Sequence, residues 1–271
     1  MTRTRTRQWL HTVVGVIILA VMLFPIYWMV NVSLQPASTM LEADWFPFTP
    51  NLSGYITAFH DQWGHLLTSL FVSLGAVVIC LVIATPAAYA LAHFKLPGST
   101  AATFAIIVSQ MIPAVVVANA LYPTYNDTGI LDNYIGLMLA DASLGLPFSI
   151  LIIRAFMASV SPSLVEAGYV DGASKLRVFW SIVVPIARNS IITGGLFTFL
   201  FAWSDFLLSS TLAGKSVRPV TLGVYQYITS YVTDWSTVMA TAVLASLPAL
   251  VLLVIAQRFI AAGITGGATK A

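Results

Sequence analysis

Several polar residues interrupt the long apolar runs of this sequence, and they are its first candidates for chemistry. Asp141 is the strongest of them, because a carboxylate is costly in an apolar segment and usually has a function there. Asp205 lies toward the end of a later run, where it could simply reach water. With four uncharged residues, the two carboxylates could line a pathway for a polar solute: Asn119, Tyr122, Asp141, Ser143, Trp203 and Asp205. Polar groups that only hold helices together would explain the same residues equally well.

The sequence Gly214-Lys215-Ser216 resembles the end of a phosphate-binding loop but does not complete one. Such a loop needs a glycine five residues before Gly214, and Ser209 stands there. The patterns His-Glu-x-x-His and Gly-x-Ser-x-Gly are also missing from the chain. The single cysteine, Cys80, excludes a disulfide framework and a thiolate metal cluster. We therefore expect no nucleotide site, no metal site and no catalytic residue in this chain.

A polar segment at about 158–185 has the pattern of two short helices joined by a tight turn. Ser163 followed by Glu166 fits a capping box at the start of the first helix. Gly172 can end that helix in a left-handed turn, Ser174 can cap the second helix, and Pro185 closes the element. Four apolar residues of the second helix share one face, which we expect to be exposed: Leu176, Phe179, Ile182 and Val183. On these grounds alone, the element could equally well lie on a lipid surface or dock a soluble protein.

The composition places the chain in a membrane. Of its 271 residues, 58% are hydrophobic and only 8% are charged, whereas a soluble domain carries about 25% charged residues. So little charge cannot cover a water-facing surface, which excludes a soluble enzyme, a disulfide-rich secreted domain and a disordered chain. The net charge of +2 is too small for bulk attraction to nucleic acids.

Six apolar runs are long enough, at about 20 residues, to cross a bilayer as helices. They do not alternate in polarity as the strands of a membrane barrel would. The runs are Thr12–Ser33, Leu66–Leu91, Ala101–Pro123, Tyr134–Ile153, Ile186–Leu208 and Trp235–Ala256, with a polar loop at Leu34–His65. The first run exceeds the length of a signal-peptide core, so we expect it to be a retained span. The expectation is an all-α integral membrane protein with six transmembrane helices, folded as a single domain over residues 1–271.

The basic residues predict the orientation of these spans. With the N-terminus in the cytoplasm, ten of the twelve Lys and Arg residues fall on the inner side, and only Lys215 and Arg218 fall outside. Basic residues concentrate in cytoplasmic loops of membrane proteins. We therefore expect both termini, and the loop at about 158–185, to be cytoplasmic.

That loop carries a pattern that resembles the EAA motif of permease subunits in binding-protein-dependent ABC importers. The matching residues are Glu166-Ala167-Gly168, then Gly172, Ile182 and Val184-Pro185, where the family pattern has Ala for Gly168 and Leu for Val184. Other stretches are similar to the sugar-type permeases, close to the smaller permease subunit of the maltose transporter. They include Ala87-Ala88-Tyr89-Ala90-Leu91-Ala92, Met111-Ile112-Pro113, Leu146-Pro147-Phe148, Asp171-Gly172-Ala173-Ser174 and Ala202-Trp203-Ser204-Asp205-Phe206.

The resemblance implies a type I ABC importer transmembrane-domain fold in the cytoplasmic membrane of a bacterium or archaeon. In that family the loop is a coupling helix that sits in a groove of an ATPase subunit. The residues expected to take this role are Glu166, Ala167, Gly168, Asp171, Gly172, Ala173, Ser174, Ile182 and Pro185. Glu166 would cap the helix and contact the ATPase, Gly172 would form the turn, and the small residues Ala167, Gly168 and Ala173 would allow close approach.

The resemblance also extends to the C-terminal tail, about 257–271, which in the family reaches between the ATPase subunits. The tail residues expected to make this contact are Gly263, Thr265, Gly266, Gly267 and Lys270. The implied partners are a second permease, two ATPase subunits that bind ATP and Mg, and an extracytoplasmic substrate-binding protein. The implied cargo is a sugar, whose sites usually combine aromatic faces with hydrogen-bonding groups.

Two other classes of function are weaker interpretations of the same sequence. An ion-coupled secondary transporter acting alone should show inverted repeats and charge relays inside the membrane. Asp141 alone is a weak basis for a charge relay, and no internal repeat is apparent. A membrane enzyme would need a recognisable catalytic pair, which the sequence does not show.

Overall fold

The computed structural model describes residues 2–36, 43–230 and 234–268, and this part of the chain is almost entirely helical. The helices, numbered in chain order, are α1 (Thr2–Ser33), α2 (Ser53–His93), α3 (Ser99–Ser109), α4 (Ala114–Thr128), α5 (Tyr134–Met157), α6 (Pro162–Val170), α7 (Lys175–Ile186), α8 (Arg188–Ser204), α9 (Leu207–Leu212), α10 (Val220–Ser230) and α11 (Trp235–Ala268). α7 includes one turn of π-helix, Phe179–Val183. The all-α expectation is confirmed.

Six spans can be assigned to these helices by length and composition. α1, α2, α5 and α11 are each long and apolar enough to cross a membrane, and the pairs α3 with α4 and α7 with α8 meet the same criterion jointly. α2 begins at Ser53, so the expectation of a loop over the whole of Leu34–His65 was wrong. The first turns of α2 mix polar and apolar residues, and hydropathy alone therefore did not reveal them.

The third predicted span, Ala101–Pro123, is broken in the structure. α3 ends at Ser109 and α4 begins at Ala114, with an angle of 98° between them. Pro113 precedes α4 with an extended backbone, φ −60° and ψ 136°. Proline has no N–H to donate and disfavours helical geometry in the residue before it, so the chain leaves the helix over residues 110–113.

Small and hydroxyl-bearing residues join α2, α5 and α8 at their closest approach. A Cβ added at Gly145 would lie 2.7 Å from Thr198 Oγ1, so the two helices pack nearly backbone to backbone there. Thr198 Oγ1 lies 3.0 Å from Ser149 Oγ and donates to Cys80 Sγ at 3.3 Å. Small residues and interhelical hydrogen bonds are the usual means of packing helices in lipid, and Thr198 thus connects three spans.

The chain divides into two compact units. One comprises the residues up to Trp63 together with Val224–Leu247, and the other comprises Gly64–Gly223 and the residues from Pro248 onward. In the first unit, Gln35 ties the segment after α1 back to that helix. Its Nε2 donates to Asn31 Oδ1 at 3.0 Å and to the carbonyl of Asp44 at 2.8 Å, and its Oε1 accepts from the N–H of Asp44 at 2.8 Å.

In the second unit, the Gly-Lys-Ser sequence surrounds a carboxylate of the same chain. The backbone N–H groups of residues 214–217 all donate to the Asp132 carboxylate, at 2.7–3.2 Å. A Cβ added at Gly214 would lie 2.8 Å from Asp132 Cγ, which explains the need for glycine there. Burial raises the pKa of Asp132, but the N–H donors of Ser216, Val217 and Gly214 outweigh it, and the net pKa lies below the usual value.

Replacing Asp132 with Asn should lower the thermal midpoint of the purified protein. The amide keeps one acceptor oxygen but turns its NH2 group toward backbone donors, and hydrogen bonds to a charged group contribute about 1.5–3 kcal/mol each. Differential scanning fluorimetry in detergent measures the change. Asp127→Asn is the matched control, because Asp127 is exposed on α4. An equal midpoint for the two variants would contradict the assignment.

The same pair of proteins should show a defined pH dependence. Because the folded-state pKa of Asp132 is lowered, its stabilisation is complete above the unfolded value and is lost as the pH falls through the folded value. The difference in midpoint between the wild type and Asp132→Asn should therefore shrink from about pH 6 to about pH 3. A difference that grows on acidification would rule out an ionised carboxylate in this position.

Candidate functional site

The segment after α5 folds as two short helices joined by a tight glycine turn. Gly172 has φ +82°, in the left-handed region. Its N–H donates to the carbonyl of Tyr169 at 3.0 Å, and the N–H of Ala173 donates to the carbonyl of Gly168 at 3.0 Å. This pair of bonds is a Schellman motif, which closes the end of a helix. The predicted turn at Gly172 is confirmed.

The second helix of this segment is capped as the sequence predicts. The Ser174 hydroxyl accepts a hydrogen bond from the N–H of Arg177 at 3.3 Å, and the Ser174 backbone is extended. α7 then runs to Ile186 and meets α8 at an angle of 77°. Pro185 lies within the last turn of α7, and the chain changes direction at Ala187, two residues later than expected.

The predicted start of the first helix was wrong. α6 begins at Pro162 with Ser161 as its N-cap, so Ser163 is the second helical residue and its hydroxyl lies 2.7 Å from Ser161 Oγ. Proline favours the first position of a helix because its N–H would be unsatisfied there anyway. Glu166 is consequently too far along α6 to complete a capping box, and its side chain is exposed.

The apolar face predicted on the second helix is mostly buried, not exposed. Phe179 is 5% exposed and Val183 is fully buried, while Ile182 is half-buried. These side chains pack into the core formed by α2 and α5, because α7 folds back against its own bundle. Leu176 alone of the predicted four projects outward, at 67% exposure.

Gly168 allows close packing between α6 and α7. A Cβ added there would lie 2.8 Å from Ile182 Cδ1 and 3.1 Å from Val178 Cγ2. α6 therefore approaches α7 more closely than an alanine would allow without adjustment. Of the other small residues, Ala167 is exposed and Ala173 packs at the edge of the core.

The end of α2 holds the segment in place through aromatic contacts. The Tyr89 hydroxyl lies 3.4 Å from that of Tyr169 on α6, and the Tyr89 ring lies 5.1 Å from the Phe179 ring on α7. Lys175 Nζ lies 5.7 Å from the centre of the Phe94 ring, within the range of a cation–π interaction. Neither Tyr89 nor Phe94 was predicted to have this role, and their position at the end of an apolar run was the available signal.

Four large apolar side chains of the segment are well exposed, and we call them the loop face. They are Leu164, Val170, Leu176 and Trp180, with exposures of 44%, 86%, 67% and 60%. Leu176 and Trp180 are one turn apart on α7, and the exposed charged residues Glu166, Asp171 and Arg177 lie among them in sequence. Exposed apolar residues rimmed by charges are typical of a protein or membrane contact.

The six residues predicted to line a pathway have different surroundings in the structure. Asp141 is buried, and neither carboxylate oxygen has a hydrogen-bond partner among the described residues. Asp205 accepts from the N–H groups of Leu208 at 3.0 Å and Ser209 at 2.7 Å, at the start of α9. Trp203 is buried and stacks on Phe199, and Asn119 and Tyr122 are exposed on α4.

Ser143, from that set, lines a cavity. The cavity has a volume of about 370 Å³ and lies beside the break between α3 and α4. It is lined by Ser109, Gln110, Ile112, Val117, Ser143, Leu144, Pro147 and Phe201. Ser109 and Gln110 were not among the predicted site residues, although Pro113 shortly after them marks the break.

The tail residues fall at the limit of what the structure describes. Gly263, Thr265, Gly266 and Gly267 lie in α11, where the backbone is helical, and Lys270 lies outside the described residues. Their contact with an ATPase stays a prediction.

Comparison with known proteins identifies the family to which the chain is related. The profile of a family described as "Binding-protein-dependent transport system inner membrane component" matches residues 81–266. The diacetylchitobiose uptake system permease protein DasC of Streptomyces coelicolor is 30% identical, over 97% of each chain. The trehalose transport system permease protein SugB of Mycobacterium tuberculosis is 28% identical, over 98% of each chain.

A solved structure has the same fold. A chain of a bacterial ABC transporter involved in the import of the acidic polysaccharide alginate superposes with a TM-score of 0.80 at 21% identity, covering 95% of this chain and 98% of that one. The family resemblance and the importer permease fold predicted from the sequence are confirmed. The chain belongs to the family of binding-protein-dependent transport system inner membrane components and is a multi-pass ABC importer permease of the inner membrane.

Proposed function

We propose that this permease is one half of the translocation pathway of an ATP-driven sugar importer. Its partners are a second permease, two ATPase subunits and an extracytoplasmic binding protein. ATP and Mg bind to the ATPase subunits, and this chain contributes no catalytic residue. The named transport roles of the relatives, diacetylchitobiose uptake and trehalose transport, support a carbohydrate cargo.

The observation that carries the proposal is the loop face on a rigid support. Val170, Leu176 and Trp180 expose their apolar side chains, while the residues between them are fixed by the Schellman motif at Gly172 and the cap at Ser174. A segment that transmits force must keep its shape under load. Buried residues of α7, including Phe179 and Val183, provide that support from below.

The connection from the loop to the spans suggests how ATP binding moves the bundle. α7 is followed by α8 after one residue, so a displacement of the loop passes directly into that span. The Tyr89 contacts to Tyr169 and Phe179 pass the same displacement to α2. In this mechanism ATP-driven closure of the two ATPases turns the central cavity outward, and hydrolysis resets it.

The EAA-motif residues take different parts in this scheme. Glu166, Ala167 and Asp171 are exposed and are available to the ATPase. Gly168, Gly172, Ala173, Ser174 and Ile182 shape the loop itself, by close packing, by the turn and by the cap. Pro185 belongs to the end of α7, next to the change of direction. The C-terminal tail supplies a second ATPase contact.

Val170→Asp should disconnect the ATPases without unfolding the permease. Val170 is 86% exposed, so a carboxylate there disturbs no core, but it removes an apolar contact and adds a desolvation penalty at the interface. We expect co-purification of the ATPase subunits and sugar uptake to fall about tenfold or more. Ile56→Asp, at a 71% exposed position near the start of α2, should leave both unchanged. Normal ATPase binding by Val170→Asp would show that the loop face is not part of the interface.

Gly172→Leu should uncouple ATP hydrolysis from uptake. A side chain in the left-handed region costs about 1–2 kcal/mol, and relief of that strain distorts the turn between α6 and α7. The matched control is Gly129→Leu, which imposes the same strain at φ +72° and, like Gly172, has no atom near its added Cβ. We expect uptake per ATP hydrolysed to fall in the first variant only. A similar fall in both variants would indicate general destabilisation and contradict the assignment.

A further inference from the structure

We propose that the cavity beside the break between α3 and α4 is a subsite for a neutral, polyhydroxylated solute such as a sugar or polyol. The inference rests on the proposed sugar import and specifies which surface of this chain the cargo touches. The cavity volume of about 370 Å³ lies at the small end of the range of ligand sites. We call it the break cavity.

The break cavity lies beside a stretch of irregular backbone. Residues 110–113 are not helical, although they lie between α3 and α4, which together are long and apolar enough to cross a membrane. Irregular backbone at membrane depth is tolerated where it is buried in protein or lines a water-filled cavity, and broken helices form binding sites in many transporters. Gln110, at the end of α3, lines the cavity with an exposed side chain. An amide facing lipid would be costly, so this surface faces the solute path.

The hydrogen bonds of the lining serines determine which donor and acceptor groups a ligand must have. Ser109 Oγ donates to the carbonyl of Ile106 at 2.7 Å, and Ser143 Oγ donates to the carbonyl of Ala140 at 2.6 Å. Each hydroxyl has therefore used its only proton and presents acceptor lone pairs to the cavity. Gln110 adds one acceptor and one NH2 donor group. A ligand that satisfies this lining must bring hydroxyl donors of its own.

The charge and shape of the lining exclude anions as the preferred ligand. None of the eight lining residues is ionisable, so a carboxylate, phosphate or sulfate would meet acceptor oxygens without a cation. Phe201 adds a flat apolar face, held by Phe148 at 6.2 Å with the two rings nearly perpendicular. Phe148 in turn packs against Phe197 at 4.7 Å. A neutral ring that carries hydroxyl groups matches both the acceptors and this aromatic face.

Cysteine labelling tests whether the break cavity is wet. In the complete transporter in nanodiscs, Gln110→Cys and Ser143→Cys should react with a charged, water-soluble methanethiosulfonate, whereas the native Cys80 is fully buried and should stay silent. Val82→Cys, at an exposed apolar position of α2, should react at least about tenfold more slowly, since reagent and thiolate both need water. Absence of reaction at residues 110 and 143, or equal reaction at residue 82, would overturn the proposal.

Protection from the same reagent tests the ligand class. Maltose, trehalose and diacetylchitobiose serve as neutral probes, and glucuronate serves as the anionic probe, each added with the binding protein. We expect at least one neutral sugar, and not glucuronate, to slow labelling at residues 110 and 143. Protection by glucuronate alone, or by no neutral sugar, would overturn the subsite. These outcomes are independent of the Val170 and Gly172 variants, so failure of the subsite and failure of the proposed coupling can be told apart.

Uptake of the protecting sugar then tests whether Gln110 and Ser143 contact it. Gln110→Ala and Ser143→Ala should each lower uptake several-fold at unchanged ATPase association, and Gln110→Glu should lower it further by adding an acceptor-only charge. Ser246→Ala is the matched control for Ser143, because Ser246 Oγ also donates to a carbonyl of its own helix, that of Val243 at 2.8 Å, and does not line the cavity. Equal effects of the two serine variants would refute a contact between Ser143 and the sugar.

Discussion

A backbone N–H or C=O group without a hydrogen bond costs several kcal/mol in lipid, and this cost decides where the chain can depart from the helix. At Asp205 the carboxylate accepts the first free N–H groups of α9, from Leu208 and Ser209. Between α3 and α4 the irregular backbone borders a cavity. At Ala187, which is buried, the chain turns while the N–H of Ala187 still donates to the carbonyl of Val183 at 2.9 Å. Each of these three departures from helix thus has a local compensation, and the one between α3 and α4 borders the cavity to which we assign a function.

The loop after α5 illustrates how a short polar segment becomes mechanically firm. Local bonds at Gly172 and Ser174 define its shape, but two short helices would not hold together by local bonds alone. Burial of Val178, Phe179 and Val183 in the main core supplies the remaining stability. The exposed residues that we propose as partner contacts and the buried residues that hold the loop therefore alternate along α7, with Leu176 and Trp180 outward and Val183 inward.

Local rules predicted the parts of this structure that depend on local geometry. The turn at Gly172 and the cap at Ser174 follow from glycine and serine chemistry and were predicted. The buried side of α7 was assigned wrongly, because helical spacing shows that a face exists but not which body it packs against. Proline was equally ambiguous: Pro86 and Pro147 lie inside continuous helices, whereas Pro113 ends a break of four residues. The break cavity exists because the chain leaves the helix before Pro113. Tertiary packing decides whether a proline breaks a helix, and the sequence pattern did not reveal the cavity.

The loop of residues 214–217 already contains its own anion. Asp132 is attached to the same chain, so its contact with the four N–H groups is intramolecular and does not depend on the concentration of a free ligand. A free anion would have to displace a tethered competitor before it could bind. The N–H groups of the Gly-Lys-Ser sequence are thus already occupied, and its likeness to a nucleotide-binding loop reflects backbone N–H groups that converge on an anion, here an internal one.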